Sequence, residues 1–151
     1  MTLKAVLKWF IAPRPNPLGV GDNEPILKAG RGFTFEVAGE SYYQEALSEI
    51  CGGACSGGHK LVVDAYLTVE HGNPHDQNAV AVHVGGHIVG RVPKSIALTV
   101  RNEVLAISST GAARCKGKIV GGWKSDDGDT GHFGIKLSVS RPLKLEKAAR
   151  D

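Results

Sequence analysis

The sequence predicts a small, mainly β protein, an OB-like antiparallel β-barrel with two short helices. Short runs in which apolar and polar residues alternate recur along most of the chain and indicate strands. Tight-turn signals separate these runs, and Gly85-Gly86 is the clearest of them. Only two segments carry apolar residues at helical spacing. Short strands, tight hairpins and few helices are typical of small barrels.

The predicted elements follow the order β-α-β-β-β-α-β-β. In the first half, residues 33–39 alternate and predict a strand. Residues 41–50 predict a helix with Ser41 as its N-cap, because serine oxygens accept hydrogen bonds from the first free amides. A glycine-rich loop follows at residues 51–59, and residues 61–70 predict a long strand.

The second half predicts a hairpin, a helix and two final strands. Residues 78–84 and 87–92 alternate on either side of the glycine pair and form the hairpin. Residues 93–106 have apolar positions every four residues, which predicts a helix that begins near a proline. The last strands are predicted at residues 114–123 and 132–140.

The chain divides into three parts. Residues 1–30 form a Pro/Gly-rich N-terminal arm with four prolines and three glycines, a composition that predicts irregular backbone. Residues 31–143 form the barrel domain, and residues 144–151 form a charged C-terminal tail. Apolar residues around Trp9 predict that the arm packs either on the domain or on a partner protein.

The positive charge of the chain is unevenly spread. The net charge is only +3, but residues 84–124 hold seven Lys or Arg residues and a single acid. Such an excess is typical of a phosphate-binding surface, and equally of a solvated face. Three cysteines, an odd number, favour a reducing cytoplasm over a disulfide framework. No apolar run is long enough to cross a membrane, so we expect no membrane partner.

Three segments of the chain occur together in one order: VAGESYYQEAL, NPHDQNAVAV and HIVGRVPKSIA. Together they resemble the HIRAN domain family, which occurs at the N-terminus of helicase-like transcription factor and Rad5-type remodellers and as small stand-alone bacterial proteins. The resemblance spans residues 33–142 and centres on an N-P-x-D-x-N-A turn, a hairpin and a V-G-x-[LV]-P segment. It implies an OB-like barrel that binds single-stranded DNA and, in helicase-like transcription factor, captures a free 3′-hydroxyl end at stalled replication forks.

The resemblance also implies which residues bind nucleic acid in this chain. They are Tyr42, Tyr43, Asn73, His75, Asp76, Arg91, Lys94 and Phe133. The chain departs from the family pattern at three positions, with Ser41 in place of a basic residue, His75 in place of Tyr and Arg91 in place of His. A basic residue is lost at Ser41 and one is gained at Arg91. The resemblance therefore predicts DNA binding, but these exchanges leave open whether the preference for a 3′ end is kept.

The residue types themselves suit the end of a single strand. Tyrosine and histidine rings stack on bases, and the planar fork of arginine binds two phosphate oxygens. Asp76 repels phosphates, so it suits a strand end, where a 3′-hydroxyl donates to it and a 3′-phosphate is excluded. Each residue also suits a structural role: Asn73 and Asp76 form turns, and Phe133 fills barrel cores. We expect Tyr43 to be exposed and Tyr42 to pack inward, since neighbours on a helix start face different sides.

Two kinds of metal site can be read in the sequence. Cys51, Cys55 and His59, with Cys115 as a fourth ligand, have zinc-like spacing, but the loop lacks tight CxxC knuckles and we expect no metal. A second set consists of acids that could bind magnesium in a nuclease: Asp64, Asp76, Asp126, Asp127 and Asp129.

No Walker A loop, nucleophile elbow or HExxH motif is present in the sequence. We therefore expect a non-catalytic, cofactor-free module that binds single-stranded DNA in repair or replication. Two alternatives stay open at this point. One is a protein-interaction module that docks through residues 1–30, and the other is a metal-dependent nuclease.

Overall fold

The computed structural model describes residues 23–147. This part of the chain contains six strands, two α-helices and one 3-10 helix, in the predicted order. The strands are β1 (Phe35–Glu36), β2 (His59–Val69), β3 (Val80–Val84), β4 (His87–Arg91), β5 (Ala112–Gly121) and β6 (Phe133–Ser138). The helices are the 3-10 helix (Glu40–Tyr42), α1 (Gln44–Cys51) and α2 (Lys94–Ile107).

The strands form one antiparallel sheet in the order β1-β6-β5-β2-β3-β4. Its two outer strands also meet, because Ala38, just after β1, pairs with Arg91 at the end of β4. The Ala38 amide donates to the Arg91 carbonyl at 2.8 Å, and the Arg91 amide donates to the Ala38 carbonyl at 2.9 Å. This seam curls the sheet into a small OB-like barrel, and the predicted fold class is confirmed.

The core follows from the period of two along each strand. In β5, Cys115 and Ile119 are buried while Lys116 and Val120 are exposed, because successive side chains point to opposite faces. Leu47 of α1 is fully buried, as are Val100 and Val104 of α2, so the helices pack their apolar faces on the barrel. Neither helix of the described chain has the length and hydrophobicity needed to cross a membrane.

Helix α1 begins at Gln44, and the prediction that Ser41 caps it is wrong. Ser41 lies inside the 3-10 helix, and Tyr43 occupies the N-cap position. The cause is a set of bonds to β6, because the Glu40 carboxylate accepts the Ile135 amide at 2.6 Å. The Gln44 side chain donates to the Phe133 carbonyl and accepts its amide, at 2.9 and 2.8 Å. These contacts hold the chain in a tighter turn before the α-helix begins.

The two ends of the described chain lie side by side on the barrel. Leu27 is buried, and its amide donates to the Arg114 carbonyl at 2.8 Å. The Lys28 amide donates to the Lys144 carbonyl, also at 2.8 Å. The end of the predicted arm therefore pairs with β5 and with the start of the predicted tail. Trp9 and the rest of residues 1–22 lie outside the described residues, as do residues 148–151.

The barrel seam leaves no room for a side chain at Gly90. A Cβ at this position would lie 2.4 Å from Val37 Cγ1 and 2.8 Å from the Ala38 carbonyl oxygen. Both distances are below van der Waals contact, and one of the two atoms belongs to the backbone. The glycine of the V-G-R segment is therefore required by the approach of residues 37–38 to β4.

We expect Gly90→Ala to lower the free energy of unfolding by about 1–3 kcal/mol or more, the usual cost of overpacking. Chemical denaturation monitored by circular dichroism measures this change. The matched control is Gly134→Ala in β6, where the nearest atoms to a Cβ belong to side chains, Glu40 Oε2 at 3.2 Å and Val120 Cγ2 at 3.8 Å, and a smaller loss is expected. Equal losses in the two variants would contradict a tight seam at Gly90.

Candidate nucleic-acid interface

Four side chains form a continuous hydrogen-bonded cluster at one end of the barrel. Arg91 donates to Glu70 Oε1 through Nε at 3.0 Å and through Nη2 at 2.8 Å. Arg91 Nη1 donates to the Tyr43 hydroxyl at 2.5 Å, and Asn73 Nδ2 donates to Glu70 Oε2 at 2.6 Å. The structure thus joins three predicted site residues through Glu70. We call Tyr43, Glu70, Asn73 and Arg91 the end cluster.

Glu70 is the residue that the sequence analysis missed. It directly follows β2, and its amide donates to the Ala79 carbonyl at 3.0 Å. Arg91 ends β4, on the other side of β3. No sequence motif marks an acid one residue beyond a strand as a site residue. The one feature that points to Glu70 is its position directly before the H-G-N-P turn. Its importance comes from pairing across the sheet, which is a property of the fold.

The ion pair in the end cluster stays charged at neutral pH. Burial by itself raises the pKa of Glu70, but hydrogen bonds from Arg91 and Asn73, with the charge of Arg91, bring that pKa below its ordinary value. Burial opposes the charge of Arg91 as well, and its hydrogen bonds to Glu70 and Tyr43 raise its pKa overall. Three of the five N–H donors of Arg91 are used in these contacts, so two remain for a ligand.

The turn after β2 is built by its own polar side chains. Asn73 Oδ1 accepts the amides of His75 and Asp76 at 2.8 and 3.1 Å, so both Oδ1 and Nδ2 of Asn73 form hydrogen bonds within the protein. Asp76 Oδ1 accepts the Asn78 amide at 2.9 Å, which closes a second Asx turn. This geometry supports the structural reading of Asn73. Asp76 uses one carboxylate oxygen for the turn, and the exposed His75 stands beside it.

The two adjacent tyrosines have opposite environments, and the predicted assignment is wrong. Tyr42 is 86% exposed, whereas Tyr43 is half-buried. Tyr43 is held by Arg91, whose Cζ lies 5.9 Å from the centre of the Tyr43 ring. Tyr42 ends the 3-10 helix and points away from this contact into solvent. Both rings line a cleft of about 640 Å³, together with Glu45, Glu49 and His87.

Phe133 and Lys94 lie outside the end cluster. Phe133 is buried at the start of β6 and stacks on His59, with ring centres 5.6 Å apart and an interplanar angle of 26°. It lines a second cleft of about 430 Å³, whose wall includes Glu40, Ser41, Val120 and Gly134. Lys94 is exposed at the first position of α2.

The basic stretch of residues 84–124 is divided among several surfaces. Arg91 is paired with Glu70, and Arg101 donates to the Glu70 carbonyl at 3.0 Å. Lys116 pairs with Asp64 at 2.6 Å on the outer face of β5. The stretch therefore does not form one patch around the predicted site.

The predicted metal ligands do not gather in one place. Cys115 is buried inside the barrel, where desolvation raises its pKa to about 12. Cys55 Sγ donates to the Gly58 carbonyl at 3.3 Å, and His59 Nε2 donates to the Gly53 carbonyl at 2.7 Å. Between residues 23 and 147, no group of three or more His, Cys, Asp or Glu side chains is placed to hold a metal ion.

Comparison of the chain with protein-family models, with curated proteins and with solved structures found no match. The likeness to the HIRAN family therefore depends on the three sequence segments alone. Any functional conclusion must come from the residues and their geometry.

His83 of β3 is buried and lies within the electrostatic reach of the end cluster. Burial lowers its pKa to about 4, with Glu70 acting to raise it and Arg91 acting to lower it further. Its Nδ1 lies 3.5 Å from the Thr68 hydroxyl. The imidazole is neutral at pH 7, so β3 holds a buried, uncharged histidine within electrostatic reach of Glu70 and Arg91.

Protein stability should fall as the pH falls from about 6.5 toward 4. In this range the unfolded state binds a proton at His83 and the folded state does not, so acid favours unfolding by up to about 3 kcal/mol. Urea denaturation at several pH values measures the slope, and His83→Gln should flatten it. Glu70 contributes to the pH dependence only below its ordinary pKa of 4.5. Above that pH, the difference in unfolding free energy between the wild type and His83→Gln therefore reports on His83. Identical slopes would contradict the low pKa.

Proposed function

We propose that this protein is a non-catalytic module that binds single-stranded DNA and prefers a free 3′-hydroxyl end. The observation that carries the proposal is the exposure of Tyr42, whose ring is 86% accessible at the end of a short helix tied to β6. An aromatic ring in that position adds little to the core. It is a ready stacking platform for a base, worth about 1–3 kcal/mol.

The end cluster supplies hydrogen-bond donors without a large positive field. Arg91 is 35% exposed and keeps two N–H donors, but Glu70 balances its charge. A long phosphate backbone binds best to lysines and arginines that no carboxylate neutralises, and Glu70 neutralises Arg91. One phosphate or one hydroxyl fits such a site better, which favours a strand terminus over a general backbone groove.

Asp76 supports selection of the 3′-hydroxyl. One of its oxygens closes the turn to Asn78, and the other can accept a hydrogen bond from a hydroxyl group. A 3′-phosphate would bring like charges together at the same place and weaken binding. His75 is exposed on this turn and offers a second ring for stacking.

These roles agree with what the HIRAN resemblance implies for Tyr42, Tyr43, Asp76 and Arg91. We extend the proposal to a place in DNA repair or in the processing of stalled replication, where free 3′ ends arise. The three cysteines are free thiols, in keeping with a reducing cytoplasm as the compartment.

Fluorescence anisotropy with three labelled strands tests the proposal. The strands end in a 3′-hydroxyl, in a 3′-phosphate, or in a hairpin that hides the end. Each is titrated at low and at moderate salt, because phosphate contacts weaken with salt. We expect the tightest binding for the free 3′-hydroxyl. Equal affinity for the three strands would remove end recognition, and no binding at low salt would remove DNA as the ligand.

Two pairs of variants assign the roles. Tyr42→Ala should weaken binding about 5- to 150-fold, the equivalent of one lost stacking contact, while Tyr42→Phe should keep most of the affinity. Asp76→Asn keeps an oxygen for the Asn78 amide and removes the charge, so it should narrow the gap between the hydroxyl and phosphate strands. An unchanged gap in Asp76→Asn would contradict charge exclusion, whatever the overall affinity.

A further inference from the structure

The outer face of the sheet carries a set of lysines that the end cluster does not use. Outward positions of β2, β5 and β6 hold these residues, which we call the lysine face: Lys60, Lys116, Lys118 and Lys136. Exposed Val62 and Val120 lie between them, 52% and 37% accessible. The face is continuous because residues paired across neighbouring strands point to the same side of the sheet.

The register of the strands sets two of these lysines directly against each other. Lys118 of β5 is the pairing partner of Lys136 of β6. Like charges at directly opposed positions destabilise a sheet. Lys118 Nζ lies 5.7 Å from the centre of the Phe33 ring, and Lys136 Nζ lies 3.3 Å from Glu36 Oε1. These neighbours offset part of the repulsion between the two ammonium groups, and a bound polyanion would offset it further.

The lysine face keeps an excess of positive charge. Two carboxylates form ion pairs with its lysines: Asp64, 2.6 Å from Lys116, and Glu36, 3.3 Å from Lys136. A third, Glu40, lies within electrostatic reach of Lys136 and is bonded to the Ile135 amide, so four lysines face three carboxylates. Both ion pairs are exposed, with side-chain accessibilities between 50% and 67%, so water screens them strongly. Within the described chain, neither Lys60 nor Lys118 forms an ion pair with a carboxylate. Phosphates can therefore compete for the ammonium groups at little cost.

The lysine face leads directly to Tyr42. Val120 and Gly134 pair with each other and are the next outward positions along from Lys118 and Lys136. Both line the 430 Å³ cleft, which Ser41, the residue before Tyr42, also lines. The cleft thus connects the 3-10 helix that carries Tyr42 with the outward positions next to Lys118 and Lys136, and Glu40 is the carboxylate in its wall.

We infer that the lysine face binds the phosphodiester backbone of the strand whose end is held at Tyr42 and Asp76. This inference rests on the proposed function for the identity of the ligand. Outward side chains two residues apart on one strand are about 6.8 Å apart, and neighbouring strands are about 4.8 Å apart. The four ammonium groups can therefore contact several successive phosphates, which supplies the salt-dependent affinity that the end cluster lacks.

The test compares strands of about 4 and about 16 nucleotides, the limits of OB-fold site sizes, in a salt titration. Lys118→Ala with Lys136→Ala should weaken binding of the longer strand roughly tenfold at low salt and lower the salt slope by about 1.4, the value for two lost phosphate contacts. Binding of the shorter strand and the preference for a 3′-hydroxyl should be unchanged. Removal of the opposed charges should leave the variant folded, which its thermal unfolding confirms.

Two controls make the result specific. Lys28→Ala with Lys144→Ala removes the same charge from exposed positions on the edge where the chain ends pair, and it should leave the salt slope unchanged. Glu36→Gln with Asp64→Asn should strengthen binding of the longer strand, since it removes the competing carboxylates.

The outcomes separate this inference from the proposed function. If the substitutions at Lys118 and Lys136 lower the affinity no more than those at Lys28 and Lys144, the effect comes from net charge. The inference that the lysine face binds the backbone is then overturned. If only the lysine-face pair acts but Tyr42→Ala does not, the face binds nucleic acid and end recognition fails. Binding to phosphatidylserine vesicles that is lost in the lysine-face variant, with no binding to either DNA strand, would overturn the inference in favour of a membrane surface.

Discussion

The backbone pairing of Ala38 with Arg91 is the constraint on which the rest of the structure depends. Two hydrogen bonds at this point join the outer strands. The strands can approach this closely because Gly90 has no side chain. The same residue that closes the barrel with its backbone sends its side chain to Glu70 and Tyr43. The Arg91–Glu70 contact follows from the pairing of β2, β3 and β4. The seam then brings Tyr43, which follows β1 and the 3-10 helix, against Arg91 and completes the end cluster.

The Glu70–Arg91 pair then determines what the end cluster can bind. Both groups are partly withdrawn from water, with side-chain accessibilities of 18% for Glu70 and 35% for Arg91, so each offsets the cost of burying the other's charge. The pair holds Tyr43 and Asn73 in place and leaves little net field. A rigid, nearly neutral set of donors suits one terminal group, whereas exposed lysines suit a run of phosphates.

Local patterns in the sequence were sufficient for the order of elements and the fold class. A period of two identifies strands because one face of each is buried, and the paired glycines identify the hairpin. The patterns failed where distant residues compete with local preference. Glu40 bonds to Ile135, 95 positions away, and this contact delays α1 and turns Tyr42 outward. Glu70 was missed for the same reason, since its partner Arg91 becomes adjacent only across β3.

The charges of the molecule are arranged with a direction. Glu70 and Asp76 lie in or beside the end cluster, whereas the lysines lie on the outer faces of β2, β5 and β6. Tyr42 lies in the 3-10 helix, which Glu40 ties to β6. A uniform cationic groove would hold a strand in either orientation, because the phosphates of a strand are alike. Carboxylates beside the end cluster disfavour a continuing phosphate backbone there, so the proposed strand satisfies both regions when its terminus lies at Asp76. The carboxylates therefore determine the orientation of the bound strand, and the lysines raise its affinity equally for either orientation.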